Sequence, residues 1–143
     1  MEGKVLIIDD EESLLDVLSE CFVDENFEVQ ALPAVDDIVQ TVKEFKPDVV
    51  VIDYLLPGIN GGELCHQIKL SCSDLPVVII SAYPKQRLSL ARFNCDRFIA
   101  KPFDVFSLVE EVRQLAIESK LSGTENAFNN LNIIQRDNEC DFS

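Results

Sequence analysis

The 143-residue chain has no tryptophan, a single histidine and only five glycines. One histidine cannot build a histidine-rich metal centre, and His66 stands between Cys65 and Gln67 without zinc-ligand spacing, so it reads as a surface residue. The five cysteines (Cys21, Cys65, Cys72, Cys95 and Cys140) are odd in number, scattered, and contain no C-x-x-C pair. That argues against a zinc site or a disulfide framework and for reduced thiols in a cytoplasmic protein. Positive charge is scarce: twelve Lys and Arg against 26 Asp and Glu give a net charge of −14. Such a chain repels polyphosphate and anionic lipid, so neither nucleic acid nor a membrane is an expected partner. A divalent cation or a basic protein face suits it better. No apolar run approaches the roughly 20 residues of a membrane-spanning helix. Met1-Glu2-Gly3-Lys4 leads straight into an apolar cluster, so no signal peptide is expected.

What the chain does have is apolar mass, 47% of its residues, enough to bury the core of one ordinary domain. Short β-rich runs alternate with amphipathic stretches, the pattern of an α/β protein with a doubly wound parallel sheet covered on both faces. Val5-Leu6-Ile7-Ile8 is the first strand, and Leu14, Leu18, Cys21 and Phe22 form one stripe of the first helix. A second strand is expected over 27–32, and a second helix begins at Asp36 or Asp37 with Ile38, Val39, Val42 and Phe45. Val49-Val50-Val51-Ile52 is the most apolar run and is expected at the centre of the sheet. The turn-rich Pro57-Gly58-Ile59-Asn60-Gly61-Gly62 precedes a helix over about 63–70 that carries Cys65, with Cys72 just beyond it. Val77-Val78-Ile79-Ile80 is the fourth strand, a helix follows over about 84–93, and Phe98-Ile99-Ala100 is the fifth strand. Asp104 caps the last helix, whose stripe is Val105, Leu108, Val109, Val112, Leu115 and Ala116, with Phe103 and Phe106 as packing residues at its start. Five strands and five helices occupy residues up to about 119. Residues 120–143, rich in Asn, read as a flexible tail or a short helix, and no internal repeat is evident.

Parallel α/β sheets place functional groups at the carboxyl ends of their strands. By that rule Asp9 and Asp10 end strand one, Asp53 ends strand three, Ser81 ends strand four and Lys101 ends strand five. Three carboxylates at one edge repel one another and raise each other's pKa unless a cation sits among them. A hard, oxygen-seeking ion, above all Mg²⁺, resolves this. With a metal, an ammonium and a hydroxyl around it, a phosphoryl group could be held against a carboxylate nucleophile. Asp53, flanked by the other groups, is the natural nucleophile. Glu11 and Glu12 read as a solvated first turn, either within reach of a metal-bound water.

Asp9-Asp10, the run Val49 to Asp53 followed by Leu56-Pro57-Gly58 and Asn60-Gly61, Val78-Ile79-Ile80-Ser81-Ala82, and Phe98-Ile99-Ala100-Lys101-Pro102-Phe103 resemble the receiver domain of bacterial two-component response regulators. The resemblance covers about residues 3–119. It implies a (βα)₅ fold, a flavodoxin/CheY-like three-layer sandwich, that accepts a phosphoryl group from a histidine kinase or a histidine phosphotransfer protein. By position, Asp53 resembles the phospho-acceptor, and Asp10 a direct Mg²⁺ ligand together with Asp53 and the backbone carbonyl of Leu55. Asp9 would hold the ion through water. Lys101 resembles the lysine that pairs with the phosphoryl group, and its bond to Pro102 the family's cis peptide. Ser81 matches the hydroxyl that moves toward the phosphate, and Phe98 the aromatic that turns inward behind it. Small Ala82 would leave the phosphoryl group room to enter. Output through a downstream protein target follows, and a phosphorylation-dependent homodimer is compatible with it.

Two positions depart from the pattern. Ser81 and Lys101 are 20 positions apart, about two fewer than the family spacing, and Asn94-Cys95 replaces a small Gly-Ala pair. Leu55, two positions after the acceptor, cannot orient an attacking water, which predicts a long-lived phosphoryl state. Three other readings compete. Phosphatases or phosphotransferases built on an aspartyl nucleophile need a second Asp where Leu55 stands. A flavin or dinucleotide binder needs glycines in the first strand-to-helix turn, which reads Asp9-Asp10-Glu11-Glu12. A degenerate, phosphorylation-independent adaptor would not need Asp53, Asp10 and Lys101 together. The expected chemistry is therefore confined to the protein's own aspartate, without an enzyme's separate substrate.

Overall fold

The computed structural model describes residues 1–82 and 94–129, with side chains up to residue 121 in the last helix. Five strands form one parallel sheet: β1 (Gly3–Ile8), β2 (Phe27–Leu32), β3 (Val49–Asp53), β4 (Val77–Ser81) and β5 (Arg97–Ala100), in the order β2-β1-β3-β4-β5. The helices are α1 (Glu12–Asp24), α2 (Ile38–Phe45), α3 (Gly61–Ser71) and α4 (Val105–Asn129). The helix expected over about 84–93 lies outside the described residues. Every residue of β3 and β4 is buried, as their unbroken apolar runs predict for central strands of a covered sheet.

Because side chains alternate across a strand, the inner strands feed two cores. Val5, Ile7, Val49, Val51, Val78 and Ile80 face α1 and α4, meeting Leu18, Phe22, Leu108, Val112 and Leu115. Leu6, Ile8, Val50, Ile52, Val77 and Ile79 face α2 and α3, meeting Ile38, Val42, Leu64 and Ile68. Each such large aliphatic side chain removed from water contributes roughly 1.5–3 kcal/mol before the entropy of ordering is charged against it. The result is the three-layer sandwich.

Local chemistry sets the helix ends. Asp37 caps α2 by accepting from the Gln40 N–H at 3.1 Å, and Asn60 caps α3 by accepting from the Glu63 N–H at 2.8 Å. The second cap starts α3 two residues before its expected beginning. The Asp104 carboxylate accepts from the Phe106 N–H at 3.3 Å and the Ser107 hydroxyl at 3.0 Å, opening α4 where the sequence places it. Asp48 locks β3 beside β1, accepting from the Lys4 N–H and donating its own N–H to the Lys4 carbonyl, both at 2.7 Å. Asn94, in place of the small residue of the family pattern, takes φ 63°, a left-handed conformation that Asn tolerates.

Four details differ from the sequence reading. In α1 the deeply buried leucine is Leu15, with Leu14 only half-buried, because the helix phase is set by Leu18 and Phe22 against the sheet. Phe106 is 68% exposed, since it lies off the Leu108–Val112 stripe, whereas Phe103 packs on the core. The last helix continues to Asn129, ten residues beyond 119. Cys21, Cys65 and Cys95 form no disulfide, but Cys72 is disulfide-bonded, correcting the expectation of reduced thiols throughout. Scattered cysteines carry no spacing signal of which ones the fold brings together. His66 is exposed, as expected. No helix among the described residues is long and apolar enough to cross a membrane.

Candidate functional site

Strand order reverses between β1 and β3, which leave the middle of the sheet with their chains on opposite sides, and the crevice at their carboxyl ends is where such sheets bind ligands. Register puts the acids there. Ile8 pairs with Ile52, so Asp9 and Asp53 each follow one member of that pair. Asp9 extends the sheet by donating its N–H to the Leu32 carbonyl at 3.2 Å, and its Oδ1 accepts from the Glu11 N–H at 2.9 Å, turning the chain into α1. On the other side Ser81 pairs with Ala100, and the Lys101 N–H continues the ladder to the Ser81 carbonyl at 2.8 Å. The Lys101–Pro102 peptide is cis, as the resemblance implied.

The side chains then converge. Lys101 Nζ lies 3.5 Å from Asp53 Oδ1 and 3.6 Å from Asp9 Oδ2. One carboxylate oxygen from each of Asp9, Asp10 and Asp53 falls within 4.8 Å of the other two. Asp9 is fully buried, Asp53 is 6% exposed and Asp10 is exposed. An open cavity of about 490 Å³ lies over Asp10 and Asp53, lined also by Glu11, Leu55, Leu56, Pro57, Ala82 and Lys101. Leu55 is 56% exposed at this rim. Ser81 is buried at the end of β4, and Phe98 on β5 is half-buried against the α2–α3 core.

One ammonium cannot balance three carboxylates. Burial, reinforced by the neighbouring Asp9 charge and opposed by Lys101, pushes the Asp53 carboxyl up to about 6. Burial likewise raises Asp9, against the Glu11 N–H and Lys101. Among the described residues Asp9 Oδ2 has no hydrogen-bond partner, although Lys101 faces it across an ion-pair distance. A buried carboxylate oxygen without a donor is costly and marks a place for a cation. The donors are all hard oxygens, which fits Mg²⁺ and not a thiophilic metal.

The sequence model of the response regulator receiver domain matches residues 5–113, nearly the whole described sandwich. The chain belongs to the response regulator receiver domain family. Solved structures agree with that assignment. NtrX from Brucella abortus, solved in complex with ATP, superposes with a TM-score of 0.80 at 27% identity over 90% of this chain and 30% of its own. This chain thus spans about 30% of NtrX. A CheY-like receiver domain protein from Methanospirillum hungatei matches with a TM-score of 0.77 at 19% identity, covering 83% of this chain and 97% of its own. A response regulator from Chloroflexus aurantiacus gives 0.73 at 24% identity, covering 80% and 98%. At these last two identities the likeness speaks for the fold.

All the residues singled out from sequence at the strand ends of this receiver, Asp9, Asp10, Asp53, Ser81 and Lys101, meet at one edge. Two features were not anticipated. Lys101 bridges Asp9 and Asp53 almost equally, where the resemblance gave it only the phosphoryl group. Gly61 is the other. A Cβ there would lie 2.5 Å from the Asp53 carbonyl oxygen and 2.9 Å from Tyr54 Cα, so only glycine lets α3 start against the acid-bearing strand. The Asn60-Gly61 pair signalled a turn, and nothing local signalled the close approach.

Proposed function

We propose that this receiver is the phospho-acceptor of a two-component, histidine-to-aspartate relay, phosphorylated on Asp53 with Mg²⁺ bound. The observation that carries the reading is the Lys101 ammonium lying between the Asp9 and Asp53 carboxylates beside an open acidic cavity. A carboxylate of Asp53 attacks the phosphorus of a phosphohistidine. The new P–O bond forms as the N–P bond breaks, and the electron pair returns to the imidazole nitrogen, which takes a proton from solvent. Even raised to about 6, Asp53 is mainly ionised at neutral pH and so competent as a nucleophile.

Lys101 pairs with the incoming phosphoryl oxygens, Ser81 offers its hydroxyl to one of them, and small Ala82 keeps the entry side open. Asp10, Asp53 and the Leu55 backbone carbonyl would hold Mg²⁺ directly, and Asp9 through water. When bound, the ion would neutralise the gathered carboxylates and the charge on the phosphoryl oxygens. Ser81 and Phe98 form the switch: the added charge at Asp53 draws the hydroxyl in, and the ring follows into the space behind it. The donor is a histidine kinase or a histidine phosphotransfer protein, and the output is contact with a protein target whose basic face suits the −14 charge. Such a relay places the chain in the cytoplasm.

Intact mass after incubation with Mg²⁺ and a small phosphodonor tests this. One added phosphoryl group is expected on the wild type, and none on Asp53→Asn or after chelation. An unmodified wild type, or a modified Asp53→Asn, would overturn the assignment.

A further inference from the structure

Asn60-Gly61 is the one Asn-Gly pair in the sequence. In an unfolded chain such a pair is prone to deamidation, because glycine has no side chain to keep its main-chain nitrogen away from the asparagine amide. Here the same two residues open α3, and the atoms that would react are already engaged. Asn60 Oδ1 accepts from the Glu63 N–H at 2.8 Å, and the Gly61 N–H donates to the Tyr54 carbonyl at 2.7 Å. Gly61 is buried and Asn60 half-buried.

Backbone geometry holds the pair apart as well. Closing a five-membered ring needs the Gly61 nitrogen to eclipse the Asn60 Cβ about the Cα–C bond, at a ψ of about −120°. Asn60 has ψ 159°, so about 80° of rotation separates the two arrangements. That rotation takes Gly61 away from the Tyr54 carbonyl and out of its place against the Asp53 carbonyl, which a Cβ would approach to 2.5 Å. The first turn of α3 must therefore open before the side chain can react.

We propose that Asn60 is a modification site gated by that opening. When the turn frays, the Gly61 nitrogen attacks Asn60 Cγ. The N–Cγ bond forms, the Cγ–Nδ2 bond breaks, and the side-chain nitrogen leaves as ammonia with the proton that Gly61 gives up. Water then opens the succinimide ring at either carbonyl. Addition at Cγ gives aspartate, which keeps the main chain and caps a helix as well as asparagine does. Addition at the main-chain carbonyl gives isoaspartate, whose chain runs through Cβ and Cγ and so gains one methylene. The junction has no room beside Gly61 even for a Cβ, and the atoms in the way are the backbone of Asp53 and Tyr54. The isoaspartyl chain is thereby barred from the native β3–α3 junction, whereas the aspartyl chain re-enters it. This chemistry does not rest on phosphorylation of Asp53.

Peptide mapping of the full chain after incubation at mildly alkaline pH provides the test, run in buffer, in sub-denaturing urea and in full denaturant. Residue 60 is expected to convert in denaturant, at least about tenfold more slowly in buffer, and faster again as urea populates the open turn. In denaturant, where folding plays no part, Gly61→Ala is expected to slow conversion several-fold, since a methyl group then crowds the attacking nitrogen. The two products, separated and refolded, are compared with Asn60→Asp by circular dichroism melts. The aspartyl product is expected to melt with Asn60→Asp, and the isoaspartyl product about 5 °C or more below it. Equal rates in buffer and in denaturant would overturn the proposal. So would conversion indifferent to Gly61→Ala, or an isoaspartyl product as stable as Asn60→Asp.

Discussion

Asp53 is held in a state the isolated domain would relieve if it could. Its carboxyl titrates near 6 in the folded chain against 3.8 for the ordinary group, because burial and the Asp9 charge outweigh Lys101. A raised carboxyl pKa means that the native state binds a proton the unfolded chain has released. The associated stability is present below about pH 4 and is lost as pH climbs to about 6. Without a divalent cation, denaturant unfolding should therefore show stability falling across this window. Asp53→Asn should remove that component of the slope and gain ~1–3 kcal/mol at neutral pH. A slope unchanged in the variant would mean that Asp9, not Asp53, holds the shared strain. Leu55 supports a second expectation. Its apolar side chain stands at the cavity rim, 56% exposed, two residues past the acceptor. Leu55→Asn supplies a polar group able to orient water, and should shorten the lifetime of the phosphoryl group on the order of tenfold, about 1.4 kcal/mol of barrier. Loss of label over time after removal of the phosphodonor measures it.

Among the elements, the junction of β3 and α3 is the tightest. The Gly61 N–H donates to the Tyr54 carbonyl at 2.7 Å, and its Cα side lies against the backbone of the residue that carries the proposed nucleophile. The clash in Gly61→Ala is with backbone atoms, which cannot swing aside, so the loop holding Asp53 must move. A stability loss of ~1–3 kcal/mol is expected, together with slower phosphorylation by a small donor. A normal rate with lowered stability would restrict Gly61 to packing. The elements also show how far periodicity reaches. The β3 and β4 runs and the Leu108–Ala116 stripe were legible because burial on two faces, or on one helix stripe, leaves a repeat in the chain. The choice of Leu15 over Leu14 in α1 was not, since both fit the stripe and only the angle of approach to the sheet separates them. Nor was the length of α4 legible, because none of the described side chains past Ala116 is buried and so none leaves a core pattern.

Over the whole molecule, the acid cluster is a product of topology. The chain itself determined that β1, β3, β4 and β5 would each end in a group with chemistry, because strand ends are written in contiguous residues: Asp9-Asp10, Asp53, Ser81 and Lys101 follow directly on their apolar runs. It also determined the two-faced burial of the strands and the balance of charge that invites a cation. The tertiary structure alone decided which of those ends meet. The order β2-β1-β3-β4-β5 sets β1 beside β3 across 44 residues, and the Ile8–Ile52 and Ser81–Ala100 registers bring Lys101 between two carboxylates and leave one buried oxygen of Asp9 without a donor among the described residues. Such distances depend on pairings between segments far apart in the chain, and a slip of one residue would turn each of these side chains to the opposite face.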